Sequence, residues 1–396
     1  MGIASVIFLV LSFALVVATL PLLVELLVLT GAALLPSNLK SENTNGKNSA
    51  VGFRLAVIVP AHNEEALIGR CVRSLLASRP QFVKVFVVAH NCSDNTAHEA
   101  ERAGAHALRL NESSQSGKGC ALHHGFLTAL AEGFDAVLVI DADSIVSANL
   151  VEAARNSFRS GSQAVQCRYE MLAGGSNLRG QLMSLAFMGF NVIRPRGRER
   201  LGLSAGIFGN GFGLRREVLE QVPYEARSTT EDLEYHLMLV EAGIRVVFLD
   251  WAHVVSEAPV SSAGASTQRA RWEGGRFRMM KQWSPRLLVR VLSGRLRLVE
   301  PLLDLLGLPL AFEVGLLMLA LCLPVGWLRF YAAAGFALII SHILVAAANG
   351  PDFWEAMKAL LVAPLYILWK LWMFPRIWRA SRSDAAWVRT SRDASV

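Results

Sequence analysis

Residues Ile3 to Leu35 are almost wholly apolar, interrupted chiefly by Pro21 and Glu25. A bilayer core needs about 20 such residues in a helix. A cleaved leader would carry a basic start and an apolar stretch of only about 7–15 residues. Neither is present, so residues 1–35 are expected to be an uncleaved membrane anchor. Composition agrees. Hydrophobic residues make up 53% of the 396 and charged residues 18%, and the mean hydropathy is +0.38. That is too apolar for an ordinary soluble domain, and the excess sits at the two ends, around a middle that reads as normal globular sequence.

The C-terminal end repeats the pattern. Leu302 to Leu328 and Phe330 to Ala348 are each long enough to span, which gives two transmembrane helices over 302–348. Phe353 to Arg379 differs. Its longest uncharged run is short and contains Pro364, and Glu355, Lys358, Tyr366, Lys370, Arg376 and Arg379 fall within about half the helix circumference. Residues 349–380 are therefore expected to lie along the membrane surface. The formal net charge is +7, with the basic excess beside the apolar segments. That placement fits anionic membrane lipids and excludes nucleic acid as the partner of choice. Lys40, Lys47 and Arg54 after the first span, the basic segment 283–301 before the second, and the basic tail 381–396 all predict the same, cytosolic side. A bacterial inner membrane is the expected location. Five cysteines without a CxxC pair fit a reducing compartment.

Between a polar linker over 36–52 and residue 282, strands alternate with helices. Leu55–Val59, Val83–Val88 and Ala136–Ile140 read as buried strands. Glu65–Ser78, Thr96–Ala103 and Gly119–Glu132 read as helices. Such alternation implies an α/β domain, here 53–282, with a mixed, mostly parallel sheet covered on both faces. Ligands then bind at the carboxyl ends of the strands. Pro60-Ala-His-Asn-Glu-Glu65 follows the first strand, Ala89-His-Asn-Cys-Ser-Asp-Asn-Thr96 the second, and Asp141-Ala-Asp143 the third. Further on stand Gly209-Asn-Gly211, Thr230-Glu-Asp232 and Gln268-Arg-Ala-Arg-Trp272. Each alone has a plain structural reading. An Asp-x-Asp can cap a strand-to-loop turn, and Ser228 with Glu231 has the spacing of a helix-capping box.

Together and in this order, these residues resemble glycosyltransferase family 2 over roughly Arg54 to Arg278. Gln268, Arg271, Trp272 and the flanking apolar spans resemble its membrane-bound branch, which includes cellulose, hyaluronan and chitin synthases and related glycolipid transferases. The resemblance implies a GT-A fold and an inverting hexosyl transfer from a nucleotide-diphosphate sugar, with a UDP-sugar favoured. It implies Asp232 as the base that deprotonates the acceptor hydroxyl, and Asp143 as ligand to Mg2+ or Mn2+, ions that prefer hard oxygen donors. Pro60, Glu64, His90, Lys118, Asp141 and Arg271 would contact the donor. Gly209, Asn210, Gly211, Glu231, Gln268 and Trp272 would contact the acceptor. Lys118 also reads as a solvated loop lysine. His90 departs from many relatives, which carry an acidic residue there against the nucleotide base, so the resemblance does not fix the nucleotide. Asp94 either takes over part of that role or caps the next turn.

A lipid-linked acceptor and a growing polysaccharide are both compatible with this set, the second as a processive synthase that exports its polymer. The few spans favour single transfer to a lipid. An oxidoreductase would need GxGxxG after the first strand, where Pro-Ala-His-Asn-Glu-Glu stands. A catalytically inactive nucleotide-sugar-binding protein would have no need of both Asp143 and Asp232.

Overall fold

The computed structural model describes residues 3–36, 52–77, 82–111, 117–173, 178–225, 230–257 and 262–381. The expected linker 36–52 and basic tail 381–396 lie almost wholly outside these residues, as does Ser228. The chain divides into two compact units, one from within 36–172 and 202–259, the other from within 1–35, 173–201 and 260–390.

The first unit is an α/β domain with eight strands among the described residues: β1 (Leu55–Ala61), β2 (Val83–His90), β3 (His106–Leu110), β4 (Ala136–Val139), β5 (Ile145–Val146), β6 (Ala164–Leu172), β7 (Phe212–Arg215) and β8 (Val246–Glu257). They form one sheet in the order β3-β2-β1-β4-β7-β6-β8-β5. The first four strands are parallel. β7 runs antiparallel to both β4 and β6, β6 is parallel to β8, and β5 is antiparallel to β8. The sheet is thus mixed and mostly parallel, as expected, and parallel through the half that carries the predicted motifs.

β1 shows why that half is apolar throughout. Leu55, Val57 and Val59 pack with Ile68, Val72 and Leu75 of the helix Glu65–Leu76 and with Phe158 of the helix Leu150–Arg159. Ala56 and Ile58 point the other way, into Ala121, Leu122 and Phe126 of the helix Lys118–Ala131 and Tyr235 and Leu239 of the helix Glu231–Glu241. A strand covered on both faces has no side free for polar residues. Gly125 lets its helix lie close on β1, since a Cβ there would come 2.6 Å from Ile58 Cγ2. That close packing fixes the height of Lys118 at the helix start.

The second unit is helical. Helices within Ile3–Ala33 and Gly326–Ala348 are long and apolar enough to cross a membrane, and two bent pairs qualify only if each counts as a single span. The stretch 302–328, expected as one continuous span, is one of these broken pairs. Segments 296–306 and 310–322 meet at 79°. Pro309 lacks an N–H and disfavours helical backbone at Leu308, so the helix cannot run through. The 13-residue helix Leu310–Cys322 reaches only about 20 Å, short of a hydrocarbon core of about 30 Å. The segment 353–380 is also bent, by 51°. Lys370 does not share an outward polar face with its expected companions, because it is buried and paired with Glu273 at 2.7 Å.

Glu25, the lone charge in the first apolar run, is buried with a reason. Arg198 Nη2 donates to its Oε1 at 2.9 Å, and Arg194 Nε does so at 3.1 Å. The same two arginines reach Asp304 and Glu300, Arg194 Nη2 to Asp304 Oδ1 at 2.5 Å and Arg198 Nε to Glu300 Oε1 at 2.5 Å. Arg276 completes the cluster against Asp304 at 3.1 Å. Three cations thus face three carboxylates away from water, which is how buried charges are tolerated.

Candidate active site

In this sheet the chain moves from β1 outward to β2 and β3, then returns to the other side of β1 at β4. Crevices at such reversals, beyond the strand carboxyl ends, are where open α/β sheets bind ligands. The loops after β1 and β2 are locked together there. Asn63 and Asn91 both adopt positive φ, 55° and 51°, a conformation asparagine tolerates better than most residues. His62 Nδ1 donates to the His90 carbonyl at 2.8 Å. Ser93 N donates to Asn63 Oδ1 at 2.8 Å, and Glu64 N to Thr96 Oγ1 at 2.8 Å. Asp94 accepts from Thr96 N at 3.0 Å and from Glu65 N at 3.2 Å. Burial pushes its carboxyl up, but these hydrogen bonds outweigh that and hold it below the usual carboxylate range. Asp94 therefore caps the turn, the plainer of its two expected roles. His90 ends β2 with its side chain buried, next to the Asn91 amide at 3.2 Å. Pro60, half-buried, stands opposite Val88 in the sheet register.

Beside β4 the chemistry-bearing residues converge. The Lys118 ammonium forms an ion pair with Asp141 and donates to the Gly209 carbonyl at 2.6 Å. Gly209 has φ +74°, and a Cβ on it would lie 3.2 Å from Asp232 Oδ2 and 3.6 Å from Lys118 Nζ. Asp232 and Lys118 thus flank one small gap that the missing side chain leaves open. Burial alone would lower the Lys118 pKa, but Asp141, Glu231 and Asp232 outweigh it and hold it above the ordinary lysine value. Lys118 is therefore a charged member of the cluster, not a solvated loop residue. Asp232 sits in the first turn of the helix Glu231–Glu241, where its Oδ1 accepts from Leu233 N at 2.8 Å.

Asn210, expected at the acceptor, is fully buried. Its Oδ1 accepts from Asp141 N at 3.0 Å, and its Nδ2 donates to Ser144 Oγ at 2.8 Å. Its side chain braces the Asp141–Asp143 turn from inside. Gln166 supports it in turn. Nε2 donates to the Asn210 carbonyl at 2.8 Å and Oε1 accepts from Phe208 N at 3.1 Å. Gln166 was missed in the sequence, though a glutamine inside the apolar run Ala164–Cys167 is the signal that marks it. Tyr169 was missed too. Its phenol shares a hydrogen bond with Ser256 Oγ at 2.9 Å, and burial, then the Asp141 and Asp143 carboxylates, push it well above the usual tyrosine value.

Among the described residues, no group of three or more His, Cys, Asp or Glu is placed to hold a metal ion. Mg2+ and Mn2+ need no such cage, because they bind through one or two carboxylates together with substrate phosphates. With Asp141 engaged by Lys118, the half-buried Asp143 carboxylate is a hard oxygen donor of the right kind, and the residues fit such an ion. Gln268, Arg271 and Trp272 belong to the other unit, on the helix Ser262–Leu292.

Comparison with known proteins bears on the whole domain. Residues 53–275, more than half of the chain, match the family model described as glycosyltransferase like family 2. A probable glycosyltransferase of Bacillus subtilis is 25% identical over 235 residues, 56% of this chain. The chain spans 55% of that protein's own length. An uncharacterised glycosyltransferase of Mycobacterium tuberculosis is 30% identical over 199 residues, covering 50% of this chain and 84% of the relative. A mannosyltransferase from Pyrobaculum calidifontis, solved with GDP-Man and Mn2+, shares the fold with a TM-score of 0.53 at 17% identity, over 86% of this chain and 98% of that one. The mixed sheet is thus that of the GT-A fold, and the chain belongs to glycosyltransferase family 2.

Proposed function

We propose that this protein transfers a hexosyl group, with inversion, from a nucleotide-diphosphate sugar to a hydroxyl of a lipid-linked acceptor at the cytosolic face of a membrane. The observation that carries this reading is the convergence of Asp232 and Lys118, itself paired with Asp141, on the gap at Gly209. Asp232 Oδ2 takes the proton of the acceptor hydroxyl, whose oxygen forms the new bond to the anomeric carbon. The bond from that carbon to the phosphate oxygen breaks, and the nucleoside diphosphate leaves with its electron pair. Lys118, held charged by three carboxylates, supplies positive charge in the same cluster. A divalent cation held through Asp143 would supply further charge against the leaving diphosphate. The roles of Arg271 on the diphosphate and of Gln268 and Trp272 at the acceptor rest on the sequence resemblance.

The membrane part is supported by the two long apolar helices and by the segment 353–380. Leu361, Leu365, Leu368 and Trp372 recur at helical spacing and are all exposed, with exposed Arg376 and Arg379 following. That combination suits a helix lying in an anionic interface. His90 does not fix the nucleotide, so the test is a panel. Purified enzyme is given UDP- and GDP-sugars with membrane lipid extract, and the products are read by mass spectrometry. A lipid bearing one added hexose is expected, formed with Mg2+ or Mn2+ and lost in EDTA. A long polymer would favour the processive alternative, and full activity in EDTA would remove Asp143 from its role.

Gly209→Ala tests the gap itself. The added methyl would fall against Asp232 and Lys118, on backbone that costs an L-residue about 1–3 kcal/mol. Transfer is expected to fall by about 10²-fold, the scale of a small misplacement of reacting groups, while the melting temperature drops only modestly. Wild-type turnover in this variant would show that the reaction does not use this gap.

A further inference from the structure

The helix Ser262–Leu292 has two sides. At helical spacing Gln268, Arg271 and Trp272 lie within about 100° of one another, and Arg269, Glu273, Gly274, Phe277 and Lys281 fall on the other half. That other half is docked, and all its partners named here come from one segment, 363–380. The Glu273 carboxylate pairs with the Lys370 ammonium at 2.7 Å, and both side chains are buried. The Arg269 guanidinium lies over the Tyr366 ring at 5.9 Å. Phe277 packs with Met373 and Ile377, and the Lys281 ammonium sits 3.8 Å from the Trp378 ring centre. A Cβ on Gly274 would come 2.7 Å from the Ala380 Cβ, so the two elements are in close contact.

The apolar and aromatic contacts alone would tolerate a small roll. Arg276, paired with Asp304 at 3.1 Å, and Arg278, donating to the Ala380 carbonyl at 3.3 Å, also hold the helix, and the Lys370–Glu273 pair is the buried ion pair set directly beside Trp272. Glu273 Oε2 is buried without a hydrogen-bond partner, so the carboxylate depends on Lys370 for compensation. A buried pair adds little net stability over apolar packing, and its best-attested use is to fix register. Glu273 follows Trp272 directly. A one-residue roll of the helix would unpair it and swing Trp272 by about 100°.

We propose that Lys370 is a positioning residue. Through Glu273 it fixes the rotation and axial placement of the helix that presents Gln268, Arg271 and Trp272, and thereby sets productive acceptor binding. The acceptor part rests on the reading of Gln268 and Trp272 given above.

The test uses the full chain in lipid nanodiscs. Lys370→Met is expected to lower kcat/KM for the acceptor by about 10²-fold, chiefly through KM, with a smaller loss of nucleotide affinity as Arg271 moves with the helix, and to accelerate amide exchange over residues 265–276. Lys370→Arg should restore most of both. Lys370→Met can fail to fold because it strands a buried carboxylate. The double variant Lys370→Met/Glu273→Leu removes both charges, and it should fold normally yet keep the raised acceptor KM and the faster exchange. Wild-type acceptor KM and exchange in the folded double variant would overturn the positioning role. Trp272→Ala separates the two ideas. An unchanged acceptor KM there would overturn the reading of the motif and the acceptor half of this proposal, whereas the exchange measurement judges the Lys370 pair by itself.

Discussion

Asp232→Asn is expected to lower kcat by about 10²–10⁴-fold, the usual contribution of a general base, with nucleotide affinity nearly unchanged. Asparagine keeps the size and the Oδ1 position that accepts from Leu233 N, but it cannot take a proton from the acceptor. A structural explanation can be weighed in advance. A carboxylate in the first turn of a helix contributes about 0.3–1 kcal/mol, and Thr230, which precedes this helix, makes no side-chain cap. Such a loss shifts a melting curve slightly and cannot account for a hundredfold drop in rate. Single-turnover kinetics at saturating nucleotide sugar, alongside thermal unfolding, give both numbers. Turnover within a few-fold of wild type would place the base elsewhere.

Arg198→Met is expected to produce the largest loss of stability, about 3–5 kcal/mol, the cost of removing one partner from a buried charge pair. Arg198 contacts Glu25 at 2.9 Å and Glu300 at 2.5 Å, so its removal strands carboxylate charge where water cannot reach. Among these groups the burial of Glu300 pushes its carboxyl up, and the attraction of Arg198 opposes this. Arg198→Lys keeps the charge but loses the planar fork, and it should fall between the two. Thermal unfolding in detergent checks the order. A methionine variant as stable as wild type would mean that Glu25 and Glu300 are compensated by Arg194 and Arg276 without Arg198.

The parallel half of the sheet was legible because its signal is local. Runs such as Leu55–Val59 can only be strands buried on both faces, and each is followed by the polar residues that the fold places at its edge. The antiparallel half was not legible, since the pairings of β7 with β4 and β6 join residues far apart in sequence. Lys118, Asp141 and Asp232 were identified as separate motifs. That Lys118 and Asp232 meet at Gly209, with Asp141 paired to the lysine, became visible only in three dimensions, as did the bracing role of Asn210. Sequence spacing cannot distinguish an asparagine that faces a substrate from one that faces inward. The same limit applies to Lys370. A helical wheel gives the face a residue occupies, but not whether headgroups or another helix meet that face. Pro309 stands in the sequence of 302–328, but the apolar content of that stretch reads as one span, and only the structure shows the break.

Glu25 and Arg194 are 169 positions apart in the chain. On the membrane reading, this separation becomes a matter of timing. The first helix leaves the ribosome and meets the bilayer long before either of its arginine partners is synthesised. An acidic side chain costs an inserting helix about 2.5–3.5 kcal/mol at its centre, and Glu25, nearer the end of this helix, costs no more than that, less than the strongly apolar remainder returns. Insertion can therefore proceed with the carboxyl unmatched. The assembled helical unit then forms in a second event, when the segment bearing Arg194 and Arg198 arrives and captures it. Biogenesis would thus have two separable stages, and arginine-deficient variants should reach the membrane normally and then be cleared by proteolysis.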